Sequence, residues 1–316
     1  MPGDMSHAVA ARSSREASRQ VDRLVALLYA ACLIAASVLA AVYIENLYVR
    51  RGIQFGFRFL SEPAAIPIDH PPIAYYAYTD GYARALLVGA INTLKVSLSG
   101  IVFATLLGAA LGLALLARHP LVSLVARIYI EALRNVPILL QLMIWYALLL
   151  HLPARDRPQA PESTFVLSNR GLSVPMLGAE LSPEFCALIL GLSAYFACYI
   201  AEIVRSGVLG VPRGQVEAAH ALGLRPFHRA TRIILPQALR LIIPPLGNQY
   251  ANLVKTSSMA VAIGYQDIVS IANATMTQTG QALEAILLIM VVYLTINSAI
   301  GIVLFLYERS GSNRAR

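Results

Sequence analysis

Lysine is nearly absent from this chain, and charged residues of any kind are few. Of its 316 residues only 13% are charged, and the only lysines are Lys95 and Lys255. The nucleotide-binding P-loop ends in Gly-Lys followed by Ser or Thr. Lys95 follows Leu94 and Lys255 follows Val254, so neither lysine completes that motif. The sequence therefore excludes a P-loop ATPase site within these residues.

Cysteine and histidine are also too sparse or too scattered for a metal site or a catalytic site. Cys32, Cys186 and Cys198 all fall inside apolar blocks, and no pair has metal-ligand spacing. This pattern favours small buried side chains. The six histidines form no HExxH, and the chain has no GxSxG and no paired carboxylates at membrane depth. We expect neither a catalytic residue nor a metal.

Apolar residues, in contrast, make up 57% of the chain and come in long blocks. Crossing a hydrocarbon core of about 30 Å takes roughly 20 helical residues. The blocks reach that length, which predicts an all-α membrane protein with six transmembrane helices. The predicted spans are 24–44, 85–117, 122–150, 185–208, 238–263 and 284–307.

The distribution of arginine and lysine predicts the orientation. With six spans, the segments on the side of the N-terminus hold 14 Lys and Arg, against seven on the opposite side. Basic residues accumulate in cytoplasmic loops, so both termini are predicted to be cytoplasmic. The net charge of +8 then reflects topology and contact with anionic membrane lipid, with no nucleic acid as partner.

The chain divides into a helical unit and a front extension. The extension includes a Pro-rich segment containing "EPAAIPIDHPP", and a second loop at 152–183 also looks irregular. Gly100, Ala104, Gly108 and Gly112 recur every fourth residue, which predicts close helix packing. The predicted divisions are a cytoplasmic tail 1–23, an N-terminal membrane anchor 24–44, a periplasmic linker 45–84, a transmembrane domain 85–307 with a loop at 209–236, and a cytoplasmic tail 308–316.

The stretch "EAAHALGLRPFHRATRIILP", residues 217–236, interrupts the apolar blocks on the predicted cytoplasmic side. Good helix formers precede Gly223, which can end a helix in the left-handed conformation. Pro226 is tolerated in the first turn of a second helix. Pro236 marks the return to the membrane. The pattern predicts a basic helix–turn–helix, although an ordinary solvated loop is an open alternative.

This stretch matches EAA-x(3)-G-x(9)-I-x-L-P at every fixed position. It resembles the cytoplasmic signature of permease subunits in bacterial ATP-binding-cassette (ABC) importers. Other segments, such as "YIEALRNVPILLQLMIWY" and "NLVKTSSMAVAIG", resemble permeases for polar amino acids. The front extension "NLYVRRGIQFGFRFL" is similar to permeases of general L-amino-acid transporters. The seven fixed positions are Glu217, Ala218, Ala219, Gly223, Ile233, Leu235 and Pro236.

The resemblance implies a transport subunit in a bacterial inner membrane. Its fold would be a five-helix importer core plus one N-terminal helix. The 217–236 stretch would form the coupling helix that docks on a separate ATPase subunit, where ATP is bound. The implied partners are two ABC ATPase subunits, a second permease or a second copy of this chain, and a periplasmic amino-acid-binding protein. This chain would carry no cofactor of its own.

Polar residues inside the predicted spans are candidates for the substrate path, because such residues are costly in lipid. They form three groups, and Pro244 and Pro245 are expected to break the helix before the first. Ordinary interpretations remain open, including an i, i+3 ion pair in the second group and a snorkelling lysine in the third. The groups are Asn248, Asn252 and Lys255; Glu131, Arg134 and Asn135; and Lys95 with Asn92 and Ser99.

Two other functional classes are weighed against the permease. An ion-coupled secondary transporter of small polar solutes would need a membrane carboxylate relay and has no use for the full coupling signature. A membrane-embedded enzyme would need catalytic motifs, and none is found. Copurification with an ATPase would separate the permease from a secondary transporter.

Overall fold

A computed structural model describes residues 55–153, 166–174 and 179–312, together with Leu39 and Tyr43. The predicted N-terminal tail and the predicted anchor at 24–44 lie almost wholly outside this described part, so neither is tested. The chain separates into two units, Met1–Phe57 and Arg58–Arg316, and the fold described below is that of the second unit.

The second unit is mostly helical. Short 3-10 segments lie at Arg58–Ser61 and Ser257–Ile263, and a π-helical turn lies at Ala230–Ile234. The helices are α1 (Tyr82–Leu115), α2 (Pro120–Arg134), α3 (Ile138–Leu150), α4 (Pro183–Leu209), α5 (Arg213–Ala221), α6 (Pro226–Arg229), α7 (Leu235–Thr256), α8 (Ile268–Thr279) and α9 (Ala282–Ser312). The strands are β1 (Val166–Ser168), β2 (Gly171–Val174) and β3 (Ala179–Leu181).

Three described helices are long and apolar enough to cross a membrane. They are α1, α4 and the Ala282–Tyr307 part of α9, and they match three of the predicted spans. A fourth predicted span, 122–150, is divided into α2 and α3, which meet at an angle of 102°. Pro137 precedes α3, and a proline disfavours helical geometry in the residue before it. The pair counts as a fourth span only if this sharp bend is included.

Helix α4 lies at the centre of the bundle. Two thirds of its most apolar stretch is buried, whereas no residue in the corresponding stretch of α9 is fully buried. The predicted stripe of small residues on α1 packs against α4. A Cβ at Gly108 would lie 2.6 Å from Cβ of Ile200, and one at Gly112 would lie 2.8 Å from Cβ of Val204. Glycine is therefore required at both positions for the two backbones to approach this closely.

Helix α7 differs from its prediction at both ends and in its middle. It begins at Leu235, and it continues through Pro244 and Pro245 without the expected break. The irregularity comes later instead, where the 3-10 segment follows directly on Thr256. The predicted span 238–263 is thus one α-helix followed by a tighter segment. α7 is not among the described helices that are apolar enough to cross a membrane unaided.

The all-α prediction and the irregular 152–183 loop both missed a small sheet. Strands β1, β2 and β3 form an antiparallel meander in which Leu172 pairs with Leu167 on one side and with Leu181 on the other. The strands are only three or four residues long, so they lack the long alternating pattern that identifies a strand from sequence. The sheet ends where α4 begins, with Ser182 capping that helix.

The segment Arg58–Gly81, here called the cap, covers one end of the bundle. Its side chains Phe59, Ile66 and Tyr75 are buried in one cluster with residues of α1, α8 and α9. The Tyr75 hydroxyl donates to the Ile66 carbonyl at 2.9 Å, which satisfies a buried polar group. The Pro-rich linker is therefore packed onto the helices over these residues.

Candidate functional site

The predicted helix–turn–helix is present, and we call residues 212–236 the knob. Helix α5 ends at Ala221, and Gly223 follows in the left-handed conformation with φ +67°. The Gly223 amide donates to His220 and the Leu224 amide donates to Ala219. This is the Schellman arrangement, which satisfies the last carbonyls of a helix. The conformation predicted for Gly223 is confirmed. Glycine is favoured here by its positive φ alone, because a Cβ at this position would meet nothing within 4 Å.

The knob exposes two large apolar side chains beside this turn. Leu222 is 80% exposed and Phe227 is 73% exposed, whereas Ala219 is buried. Of the other signature positions, Glu217 and Ala218 are exposed on α5. Exposed Leu and Phe next to basic residues are typical of a surface that meets a partner protein.

The second half of the knob runs directly into α7. The π-helical turn at Ala230–Ile234 stands immediately before Leu235 and Pro236. Proline has no amide hydrogen, and π-turns often occur where the regular helical ladder is interrupted. The Gln237 side chain of α7 donates to the Gln215 side chain of α5 at 2.6 Å, so the first helix of the knob is bonded directly to α7.

The first polar group forms one exposed face of α7. Asn248, Asn252 and Lys255 are all exposed, while Leu253 and Val254 on the opposite side are buried. The predicted helical face is therefore present, and it points away from the core of this chain. Among the described residues, Lys255 has no carboxylate within 4.0 Å, because the ion pairs there are Arg84–Asp80 and Arg205–Glu202.

The second polar group lies at the end of α2 and makes different contacts from those considered above. The i, i+3 ion pair between Glu131 and Arg134 is absent. Instead the Arg134 guanidinium lies 5.1 Å from the centroid of the Tyr199 ring. The Asn135 amide donates to the Glu131 carbonyl at 2.7 Å. All three side chains in the group are exposed, and no hydrogen bond or ion pair in the described part of the chain joins them to the α7 face.

The third polar group is divided between two roles. Lys95 is exposed, with its Nζ 4.6 Å from the centroid of the Phe185 ring. Asn92 is buried, and its amide donates to the backbone carbonyl of Gln266 at 2.9 Å. Asn92 is therefore a structural contact, whereas Lys95 is exposed and bonded to no carboxylate among the described residues.

Sequence reasoning missed Asp267, at the start of α8. It is only 1% exposed, and its carboxylate accepts from the Ser270 amide at 2.8 Å. Burial raises the pKa of Asp267 to about 7. Its signal was readable, because an Asp directly before "IVSIA" is a helix N-cap pattern.

Comparisons with known proteins agree with this arrangement. The family described as "Binding-protein-dependent transport system inner membrane component" matches residues 100–310. A chain of Escherichia coli K12 named as an amino-acid ABC transporter permease protein, YhdX, is 37% identical, aligned over 82% of this chain and 86% of its own length. The general L-amino acid transport system permease protein AapQ of Rhizobium johnstonii is 34% identical, over 77% and 80%.

A solved structure shares the fold. The crystal structure of an amino acid ABC transporter with histidines matches with a TM-score of 0.58 and 28% identity. The match covers 72% of this chain and 95% of that one. Nearly all of that chain therefore superimposes on a part of this one.

Proposed function

The chain belongs to the family of binding-protein-dependent transport system inner membrane components, and on that premise we propose that it is the permease subunit of an ATP-driven amino-acid importer. The observation that carries the proposal is the alignment with amino-acid permeases over about four fifths of the chain. Family membership decides against the ion-coupled carrier considered from the sequence. ATP is hydrolysed by a separate subunit, and a substrate-binding protein delivers the solute.

The finer assembly follows from the surfaces that this chain leaves open. A second permease, either another copy or a related chain, covers the exposed face of α7. The knob lies in the cytoplasm with both termini, and the cap and the β1–β3 sheet lie in the periplasm. The excess of basic residues on the predicted cytoplasmic side supports this orientation. The importer then places two ATPase subunits below the pair of permeases.

The translocation path runs along the polar face of α7. Asn248, Asn252 and Lys255 are expensive to expose to lipid, so their exposure in a single chain points to a water-filled space between two permeases. An amino acid carries a carboxylate, which the Lys255 ammonium meets. The two asparagines fill the remaining hydrogen bonds. The second polar group does not line this path within one chain. It contributes only if the second permease places its own copy of the group beside α7; the group is Glu131, Arg134 and Asn135.

The knob couples the path to the ATPase. Leu222 and Phe227 insert into an apolar groove on that subunit, and Arg225 and Arg229 lie at the rim. When ATP closes the ATPase dimer, the α5 turn moves and carries α7 through the Gln237–Gln215 bond. The polar face of α7 thus opens to alternate sides of the membrane.

Uptake of radiolabelled amino acids tests this function. Cells lacking the chain are compared with cells in which it is restored, for each amino acid singly and in competition. The proposal expects uptake of at least one amino acid to depend on the chain and on intact ATPase subunits. Uptake that persists without ATP hydrolysis and follows an ion gradient would instead identify a secondary carrier.

Lys255→Ala is expected to reduce amino-acid uptake by about tenfold or more. A hydrogen bond to a charged group contributes roughly 1.5–3 kcal/mol, which corresponds to about tenfold or more in affinity. Initial uptake rates measured against concentration provide the test, and Lys255→Arg is the matched variant because it keeps the charge. Unchanged kinetics in Lys255→Ala at equal protein levels would remove Lys255 from the path.

Phe227→Ala together with Leu222→Ala is expected to detach the ATPase. Truncating a buried apolar anchor costs roughly 2 kcal/mol or more, so we expect the affinity to fall about thirtyfold or more. Copurification of the ATPase with the tagged permease measures the loss. The matched control is Leu294→Ala, which removes an equally exposed apolar side chain from α9. Equal recovery of the ATPase with both variants would show that the knob's apolar pair does not dock.

A further inference from the structure

A cleft of about 670 Å³ lies between the cap, the small sheet and the start of α4. Its walls include Asp69 and His70 from the cap, Glu180 from β3, and Glu184 from α4. A second cavity of about 90 Å³ shares these four residues and extends inward to Lys95. Small-molecule sites commonly occupy about 300–1,000 Å³, so the space is sufficient for a solute. This cleft is separate from the polar face of α7.

The cleft carries charges of both signs. Three carboxylates, those of Asp69, Glu180 and Glu184, line both cavities; the Arg170 guanidinium lines the outer cavity and the Lys95 ammonium lines the inner one. In the part of the chain that the structure describes, Lys95 forms no ion pair within 4.0 Å, so its charge is available to a ligand. The Phe185 ring holds the ammonium in place from one side. Opposite charges lining one cleft match a zwitterion.

The walls are held in place by specific hydrogen bonds. The Gln266 side chain accepts from the Asp69 amide and donates to the Pro67 carbonyl, both at 2.7 Å. The Gln266 carbonyl in turn accepts from the Asn92 side chain on α1. On the other wall, Glu184 accepts from the Tyr146 hydroxyl at 3.0 Å. These hydrogen bonds therefore hold the cap against the helices, and they fix the backbone positions from which the charged side chains extend.

The cleft draws on parts of the chain that lie before the shared core. The family match begins at residue 100, whereas the cap ends at Gly81 and Lys95 lies on the first half of α1. Helix α1 has 34 residues, or about 51 Å at about 1.5 Å per residue, which exceeds a hydrocarbon core of about 30 Å. Its first turns, with the cap, can therefore stand above the membrane.

We infer that this cleft is a second, periplasmic binding site for an α-amino acid zwitterion, occupied before the solute enters the α7 path. Lys95 meets the α-carboxylate. The carboxylates of Asp69, Glu180 and Glu184 meet the α-ammonium group and any further cationic group of the solute. The inference rests on the proposed transport of amino acids. It adds a site that recognises the backbone of the amino acid and is thus indifferent to most side chains.

Equilibrium binding to the complete importer in lipid nanodiscs, without its binding protein, tests the inference. The probes are radiolabelled glutamate, arginine and alanine, with the corresponding α-carboxamides as competitors. Free amino acids are expected to compete at least tenfold better than the amides, because an amide lacks the charge that Lys95 meets. Lys95→Met should remove this discrimination. Asp69→Asn combined with Glu184→Gln should weaken binding about tenfold, while Glu62→Gln, an exposed carboxylate of the cap outside the cleft, leaves it unchanged.

Each alternative result overturns the inference in a distinct way. If the cleft variants bind amino acids as well as the wild type does and Lys255→Ala loses binding, the bound solute lies in the α7 path alone. The cleft variants could also bind free amino acids normally but lose the uptake that the binding protein drives. That result would make the cleft a docking surface for the binding protein. No binding by an importer that still takes up amino acids removes the site and leaves the proposed function intact. Absence of uptake in the wild type removes the proposed function itself. Copurification of the ATPase with each variant confirms that it is folded.

Discussion

Gly223→Val is expected to abolish amino-acid uptake while the permease remains in the membrane. Valine is β-branched and strongly disfavours the left-handed conformation that Gly223 adopts at φ +67°. The strain costs about 1–2 kcal/mol or more, so the turn reorganises and Leu222 and Phe227 lose their relative positions. A Cβ there meets nothing within 4 Å, so the helices of the bundle are not disturbed. Initial uptake rates and ATPase copurification measure the effect.

Gly223→Asn is the control that separates conformation from side-chain size. Asparagine also adds a branched side chain of comparable size, yet it visits the left-handed region several times more often than most other residues. We expect Gly223→Asn to retain most of the uptake. Equal loss in both variants would mean that the surface of the turn matters and that its backbone conformation does not. Normal uptake in Gly223→Val would reduce the knob to an ordinary loop.

Gly108→Leu is expected to destabilise the bundle strongly. A Cβ at Gly108 lies 2.6 Å from Cβ of Ile200 and 3.0 Å from the carbonyl oxygen of Ala197. Both neighbours belong to α4, whose central position leaves it no room to withdraw. Overpacking a core typically costs about 1–3 kcal/mol, and a whole isobutyl group against backbone atoms belongs at the upper end of that range or beyond.

The measurement for Gly108→Leu is the temperature at which the detergent-solubilised permease loses its monodisperse elution. Gly301→Leu is the matched control, since a Cβ at Gly301 on exposed α9 meets nothing within 4 Å. We expect the control to elute like the wild type and Gly108→Leu to be recovered poorly or to unfold at lower temperature. Similar stability of the two variants would contradict the close α1–α4 contact.

The long apolar helices could be predicted from the sequence because their signal is extended and additive. A run of about 20 apolar residues has one stable arrangement in lipid, a helix, and α1, α4 and α9 follow from it to within a few residues. The end of α5 at Gly223 could also be predicted, because a single glycine there has a specific conformational role. These features depend on local chemistry alone.

Features that depend on tertiary contacts were missed or misjudged. The three-residue strands next to α4 are stabilised by pairing with one another, which no local pattern shows. Pro244 and Pro245 were expected to break α7, yet the helix continues, so its neighbours tolerate the missing amide hydrogens. For the candidate site, spacing placed Asn248, Asn252 and Lys255 on one face, but it could not say what that face meets. For the same reason Asn92 was a candidate for the substrate path, although its side chain in fact bonds to the backbone of Gln266.

The polar character of α7 also bears on how the protein is made. Helix α7 carries Lys255 in its last turn, and it is not apolar enough to cross a membrane unaided. Its contacts explain how it is retained: Ile242 packs on Gly207 of α4, and Leu304 of α9 packs on Gly247. We therefore expect α7 to be retained in the membrane by α4 on one side and by α9 on the other. A chain truncated before α9 is expected to hold α7 less firmly and to be degraded faster than the full chain.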